Sequence, residues 1–291
     1  MKKHNKRKIN HLYQILPEGF IADAKWLTAA GYPSSLRNRY IESGWLLPVV
    51  RGVFRRPLYR LGTKETIAPL SWQHIVASLQ LVMRLPVAVG GRTALELSGY
   101  AHYVSDSAPR EVHIYSDIGT PGWLNKIQLD TTFVFHNANK LFPKVPIFSE
   151  LEKIGTEPPY GESKLPNEAS SLTWFNFGTG NWPIFVSTPE RAVLEVLDEL
   201  PDRETFEQVN MLMDSLVDIS PSRMGHVLRE CRSIKVKRLF FWFVEQHNHL
   251  WLERLDRDGV ELGSGKRMLI KGGRMDPKYL ITVPRGIEDR G

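Results

Sequence analysis

The chain has 291 residues, of which 42% are hydrophobic and 24% charged, with a net charge of +6 and a single cysteine. That length predicts two domains, and that composition a folded globular protein. No 18-residue apolar run is present, the basic N-terminus lacks the apolar core of a secretory signal, and Cys231 alone leaves no internal disulfide or cysteine-based zinc site, so a reducing cytoplasm is the expected compartment and no membrane partner is expected.

The first eight residues or so read as a mobile charged arm able to touch a DNA backbone. Ile9 to Leu16 follows as a short helix with Leu12, Ile15 and Leu16 on one face, ended by Pro17-Glu18-Gly19-Phe20. Ala24 to Ala30 is a second helix offering Trp26 and Leu27 to a core. Gly31-Tyr32-Pro33 then breaks the helical pattern before Ser34 to Ser43, the spacing of a helix-turn-helix whose second helix can enter a major groove. On that second helix Leu36 and Tyr40 face inward and Ile41 lies at the margin. Ser34, Ser35, Asn38 and Arg39 point outward, with Arg37 near the boundary between the faces.

After Gly44 the period changes to that of a hairpin, Trp45 to Val50, a turn at Arg51-Gly52, then Val53 to Arg56. It reads as a wing whose arginines are Arg51, Arg55 and Arg56. Residues 1 to 61 carry twelve Lys and Arg against three acids, a net +9, so the other 230 residues sum to −3. Basicity is therefore local, as expected of a module that neutralises phosphates. Asn and Arg can pair bidentately with adenine and guanine, whereas Ser more often holds the backbone. The expected division is a DNA-binding domain over 1–61 and a larger domain over 71–291, joined by the polar stretch between Leu61 and Leu70. The expected class is α+β, a winged helix-turn-helix followed by a mixed α/β domain.

The larger region opens with Ser71 to Met83, a helix with Ile75, Leu79 and Val82 in one stripe, and a strand at Val87 to Val89. Gly90-Gly91-Arg92 turns into a helix starting at Thr93, where Thr93 and Glu96 have capping-box spacing. A glycine turn between strand and helix can hold phosphate. Without a following Lys-Ser/Thr or a third glycine this one is neither a P-loop nor a dinucleotide fingerprint, and a structural turn is the expectation. Strands are expected at Glu111 to Ser116 and Thr131 to His136, pairing with the first, and proline- and glycine-rich connections over much of 137–168.

Residues 150–220 hold fourteen acids against four basic residues. Within them a strand at Trp182 to Ser187 runs into a helix with Thr188 as N-cap, Pro189 at its first position and Glu190 complementing its dipole. Further helices are expected at Thr205 to Val217 and from Ser220-Pro221 on. Arg223, Arg229, Arg232, Lys235, Lys237 and Arg238 against Glu230 form a second basic run, +5, of which Arg223, Arg229, Arg232, Lys235 and Lys237 are offered to an anionic partner such as RNA or more DNA. Phe240, Val244, His247 and Trp251 follow at helical spacing as core, and the tail reads as a hairpin turned at Gly272-Gly273.

Catalytic and metal signatures do not assemble. Glu162-Ser163-Lys164 and Asp276-Pro277-Lys278 have the letters of a metal-dependent nuclease triplet but sit in loop-like or turn-like sequence. His247-Asn248-His249 alternates on a helix, so its histidines diverge, and Cys231 has no evident histidine partner. No catalytic residue, metal or cofactor is expected.

Three stretches together, LTAAGYPSSLRNRYIESGWLLPVVRGVFRRP, GGRTALELSGYAHYV and STPERAVLEVLDELP, resemble the AbiEi family of antitoxins of type IV toxin–antitoxin systems, in the family's order over about two-thirds of the chain. The resemblance implies an N-terminal winged helix binding inverted repeats in its own promoter, and a C-terminal domain that counteracts a nucleotidyltransferase toxin in abortive infection without requiring a stable complex. Carried onto this chain, DNA reading falls on Ser34, Ser35, Arg37, Asn38 and Arg39, with Arg51, Arg55 and Arg56 on the wing. Two other functions remain open on the residues themselves, a ligand-sensing regulator without a toxin and a DNA-targeted nuclease component. No heptad or other dimer seam appears, so one monomer per repeat and a dimer are both compatible.

Overall fold

In the computed structural model, which describes residues 2–58, 69–100, 110–144, 147, 170–178 and 180–286, the chain starts as a helix at once. Helix α1 runs Lys2–Ile15, so the expected arm is helical from its second residue, continuous with the amphipathic turns that bury Leu12 and Leu16. After Pro17 comes a short strand the sequence reading missed, β1 (Ile21–Asp23). Three residues are too few to show an alternation. Asp23 then caps α2 (Ala24–Ala29), its carboxylate accepting from the Trp26 N–H at 2.7 Å. Helix α3 (Ser34–Glu42) follows Pro33, and the wing is β2 (Leu47–Val50) and β3 (Val53–Arg55). The three strands form one antiparallel sheet in the order β1-β3-β2. The turn between β2 and β3 needs Gly52, whose φ is +80° and whose carbonyl accepts from the Ala24 N–H.

The N-terminal module sits on the larger region rather than hanging from it. Helix α4 (Trp72–Ala77) is capped by Ser71 and runs into a π-helical turn over Ser78–Val82, burying Ile75, Leu79 and Val82 as expected. Ser78 Oγ of that turn accepts from the Ile21 N–H at 2.9 Å. The Phe20 ring packs edge-on at 4.9 Å from Trp182. One hydrophobic core therefore runs from α1 to the C-terminal strands.

The larger region is built on a five-stranded sheet. Strand β4 (Val87–Val89) leads into α5 (Gly91–Leu97); β5 is Arg110–Ser116, β6 Thr131–Asn137, β7 Leu172–Phe177 and β8 Trp182–Ser187. The order is β6-β5-β4-β8-β7, parallel for β5/β6 and β4/β8 and antiparallel elsewhere. Helices α6 (Pro189–Asp198), α7 (Phe206–Asp214), α8 (Pro221–Glu230) and α9 (Ile234–His247) complete it, and the architecture is α+β. The Phe240, Val244 and Trp251 stripe is buried.

Several local expectations are corrected. The Thr93–Glu96 capping box does not form, because α5 begins at Gly91 and Thr93 Oγ1 instead accepts from the His113 N–H of β5. Thr188 holds the N-cap position of α6 with Pro189 after it, as expected, but makes no side-chain cap bond. Glu190 stands in the first turn of α6, as expected, and is there buried against Arg223 and the Ser220 N–H. The tail hairpin, β9 (Arg274–Met275) with β10 (Thr282–Val283), turns after Asp276, whose carboxylate accepts from the Tyr279 N–H, so Gly272-Gly273 precedes the first strand. Most of the linker between Leu61 and Leu70, the triplet Glu162-Ser163-Lys164, and much of the 137–168 connection lie outside the described residues.

Candidate nucleic-acid interface

Helix α3 is amphipathic on a short scale. Leu36 and Tyr40, one turn apart, are buried, and the Tyr40 ring packs at 5.1 Å on Trp45, which roots the wing beside the helix. That fixes the opposite face, where Ser34, Ser35, Asn38 and Arg39 are exposed. Arg51 is exposed at the tip of the β2–β3 turn, and Lys25 is exposed on α2. These side chains form a polar and cationic surface backed by rigid core packing. It offers a paired donor and acceptor from Asn38, two parallel donors from Arg39, and positive charge from Arg51 and Lys25.

Three arginines expected at this surface are instead built into the module. Arg37 is 9% exposed, and its Nη1 donates to Tyr32 O at 2.7 Å and Thr28 Oγ1 at 2.8 Å while the guanidinium stands 5.7 Å from the Phe54 ring centre. Arg55 is 5% exposed and donates to Gly19 O and Pro69 O, with burial pushing its guanidinium below the usual range. Arg56 ends α1, donating to Tyr13 O and Leu16 O, pairing with Glu18 at 2.9 Å and lying 4.0 Å over the Tyr13 ring. The physical reason is shared. Helix ends and turns leave carbonyls without intrahelical partners, and an arginine fork satisfies several at once.

The second basic run is dispersed in the same way. Arg223 pairs with the buried Glu190, and Arg229 with Asp256 and the Asp258 carbonyl. Lys235 donates to Asp198 O and Leu200 O, both at 2.7 Å, and Lys237 is 5% exposed. Arg232 is the exposed member without a side-chain partner among the described residues. The five therefore do not present one open cationic face. His247, the last residue of α9, and His249 just beyond it both bond to α7, through Asn210 and the Met213 carbonyl, and because the helix ends between them their rings stack at 5.9 Å instead of diverging. Cys231 is buried, which pushes its thiol up to about 11.

The other concentration of titratable groups lies between the sheet and α5 and α6. Glu195 accepts from the Gly91 N–H and Arg191 Nε, each at 2.8 Å, and from Ser187 Oγ at 3.1 Å. A side chain on Gly90 would collide with the Glu195 carboxylate and the Tyr115 ring, so the glycine turn is filled by protein and is structural, as expected. Beside it His113 Nδ1 and His136 Nε2 are 3.0 Å apart, and His136 Nδ1 faces Glu199 at 3.2 Å. Burial, then the neighbouring His136, pushes His113 down to about 4.

Sequence reasoning missed two features of the N-terminal module. Tyr32, in the turn before α3, is a buried anchor whose hydroxyl meets Lys8 O and His11 Nδ1 on α1. Arg7 and His11 are exposed four residues apart on α1. That helical spacing was legible, but the charge density around it read as a flexible arm.

Comparison with known proteins covers both parts of the chain. The model of the AbiEi antitoxin N-terminal domain, a transcriptional regulator, matches residues 5–106, and that of the AbiEi antitoxin of type IV toxin–antitoxin systems, also a transcriptional regulator, matches residues 109–284. The sequence has no match among curated proteins. The crystal structure of the RV2827C protein from Mycobacterium tuberculosis is similar in fold, with a TM-score of 0.50 at 14% identity over 95% of this chain and 89% of that one. No helix among the described residues is long and apolar enough to cross a membrane. With family models spanning both regions, this chain belongs to the AbiEi family of type IV toxin–antitoxin transcriptional regulators.

Proposed function

We propose that the chain is a DNA-binding repressor of its own operon and the antitoxin that counteracts a cognate nucleotidyltransferase toxin in phage defence, acting in the cytoplasm and without enzymatic chemistry or a cofactor. Its ligand is double-stranded DNA carrying inverted repeats in its own promoter. The observation that carries the reading is the exposed set Ser34, Ser35, Asn38 and Arg39 on a helix whose other face is locked in core, with Arg51 at the wing tip. In this reading Asn38 and Arg39 meet base edges, the two serines and Arg51 hold phosphates, and Arg37, Arg55 and Arg56 position the elements. The larger domain counteracts the toxin, and family membership supports that assignment.

A gel shift over a salt series tests it, using the protein's own upstream fragment against a scrambled duplex. Wild type prefers its own fragment and weakens steeply as salt rises, while an Asn38→Ala/Arg39→Ala/Arg51→Ala variant loses the preference. Equal binding of both duplexes by wild type would overturn the reading. Toxin co-expression with the same variant separates the two roles, since rescue from toxicity survives when promoter binding is lost.

A further inference from the structure

We propose that α1 is a second DNA-backbone contact, in which Arg7 and Lys8 hold phosphates flanking the groove read by α3. This rests on the reading of α3 as the DNA reader and extends it to an element outside the helix-turn-helix and its wing.

The middle of α1 is fixed at the entry to α3. Tyr32 stands two residues before Ser34, and its hydroxyl donates to Lys8 O at 2.9 Å. A carbonyl only accepts, so the same hydroxyl is the acceptor at 2.8 Å for His11 Nδ1, which carries the proton. The two rings are stacked with an interplanar angle of 12°, and Lys8 Nζ reaches Gly31 O at 3.2 Å. Ile9, Leu12 and Leu16 bury the other side of α1, so its rotation is set and Arg7 and His11 are turned outward.

Between α1 and the turn lies an open cavity of about 230 Å³ lined by Arg7, Lys8, His11, Ala30, Gly31 and Tyr32. No atom stands within 4 Å of where a side chain on Gly31 would begin, so a ligand can approach the backbone there. The charge is of one sign: the first eight residues contain five Lys and Arg, and the first acid in the chain is Glu18. Arg7 has no acidic partner among the described residues. A phosphodiester needs a cation and one or two N–H donors, which is what this rim presents. A duplex that admits the N-terminal end of α3 into its major groove carries its flanking phosphates past that end, toward α1.

The test uses the full-length protein, its own upstream duplex and a scrambled duplex of the same length, with affinity measured by fluorescence anisotropy from low to high salt. Arg7→Ala lowers affinity for both duplexes by the same factor and reduces the slope of log affinity against log salt by about 0.9, the signature of one lost phosphate contact. Arg7→Glu lowers it further, with thermal unfolding unchanged because Arg7 is exposed. Asn38→Ala/Arg39→Ala instead removes the preference for the upstream duplex. If Arg7→Ala and Arg7→Glu keep wild-type affinity and slope while the α3 variant loses its preference, the α1 contact is wrong and the α3 reading stands. If the α3 variant keeps its preference, the reading of α3 fails and this inference with it.

Discussion

Arg37 Nη1 lies 2.7 Å from the carbonyl oxygen of Tyr32, so the fourth residue of α3 is bonded to the turn that delivers it. The same nitrogen reaches Thr28 Oγ1 in α2, and the guanidinium faces Phe54 of the wing. One side chain joins four parts of the module. Arg37→Met keeps the length and removes the donors, and is expected to cost about 1–3 kcal/mol, the range for buried hydrogen bonds to a charged group. Arg39→Ala, at an exposed position, is expected to stay within about 0.5 kcal/mol of wild type. Urea unfolding of the two variants measures both, and equal stability would mean that Arg37 is not a strut.

Glu195 and Arg191 are a fully buried pair one helical turn apart, and Glu195 also holds the Gly91 N–H from 104 residues away. Glu195→Gln leaves a buried guanidinium without its counter-charge and is expected to cost about 3–5 kcal/mol. Arg191→Met/Glu195→Gln is expected to recover part of that loss. A double-mutant cycle by thermal unfolding reads the coupling, and additive losses would contradict it.

Stability should fall on acidification before the carboxylates titrate. His136 Nδ1 lies 3.2 Å from the Glu199 carboxylate, and its Nε2 lies 3.0 Å from His113 Nδ1. His113 is held near 4, against an ordinary value of 6.5, by burial first and then by His136, with Arg92 and Arg203 adding to the shift and Glu199 opposing it. Above 6.5 the ring is neutral in both states. Between 6.5 and 4 only the unfolded chain takes the proton, so stability drops by up to about 3 kcal/mol across that window and then levels. His74 and His247, lowered chiefly by burial, act in the same direction. Burial would raise the Glu199 carboxyl, but its hydrogen bond with His136 holds it below its ordinary 4.5, so its own contribution is lost lower down. Unfolding free energy measured from pH 7 to 4 should show a shallower slope in His113→Gln. An unchanged slope would remove His113 from the account.

The second basic run separates into struts and surface. Arg223→Met leaves the buried Glu190 without its cation, and Lys235→Met frees the Asp198 and Leu200 carbonyls at the end of α6, so each is expected to cost about 1–3 kcal/mol. Arg232→Glu is expected to leave stability within about 0.5 kcal/mol. Chemical denaturation distinguishes them, and a stable Arg223→Met would contradict the pairing.

The helix-turn-helix was legible because local signals agree there. Gly31-Tyr32-Pro33 stops one helix, Leu36 and Tyr40 fix the buried face of the next, and Arg51-Gly52 requires a turn. Strands β5 and β6 were legible from apolar alternation, and β4 and β8 as short apolar runs leading into a turn or a helix start, whereas β1 runs directly into the cap of α2 and shows neither signal. The capping box at Thr93 failed because its hydroxyl found the His113 N–H on a strand twenty residues away, a competitor that spacing does not reveal.

Periodicity, turn chemistry and charge distribution thus determined from sequence alone that a basic winged module precedes an acidic α/β region, and which face of α3 looks outward. Tertiary structure alone decided which cations are free. A positive charge in sequence has the same formal value whether it meets water, a carbonyl or a carboxylate. The orphan carbonyls of α1 and of the turn before α3, and the buried Glu190, were brought within reach of Arg56, Arg37 and Arg223 only by folding. That left Arg39, Arg51 and Arg7 exposed.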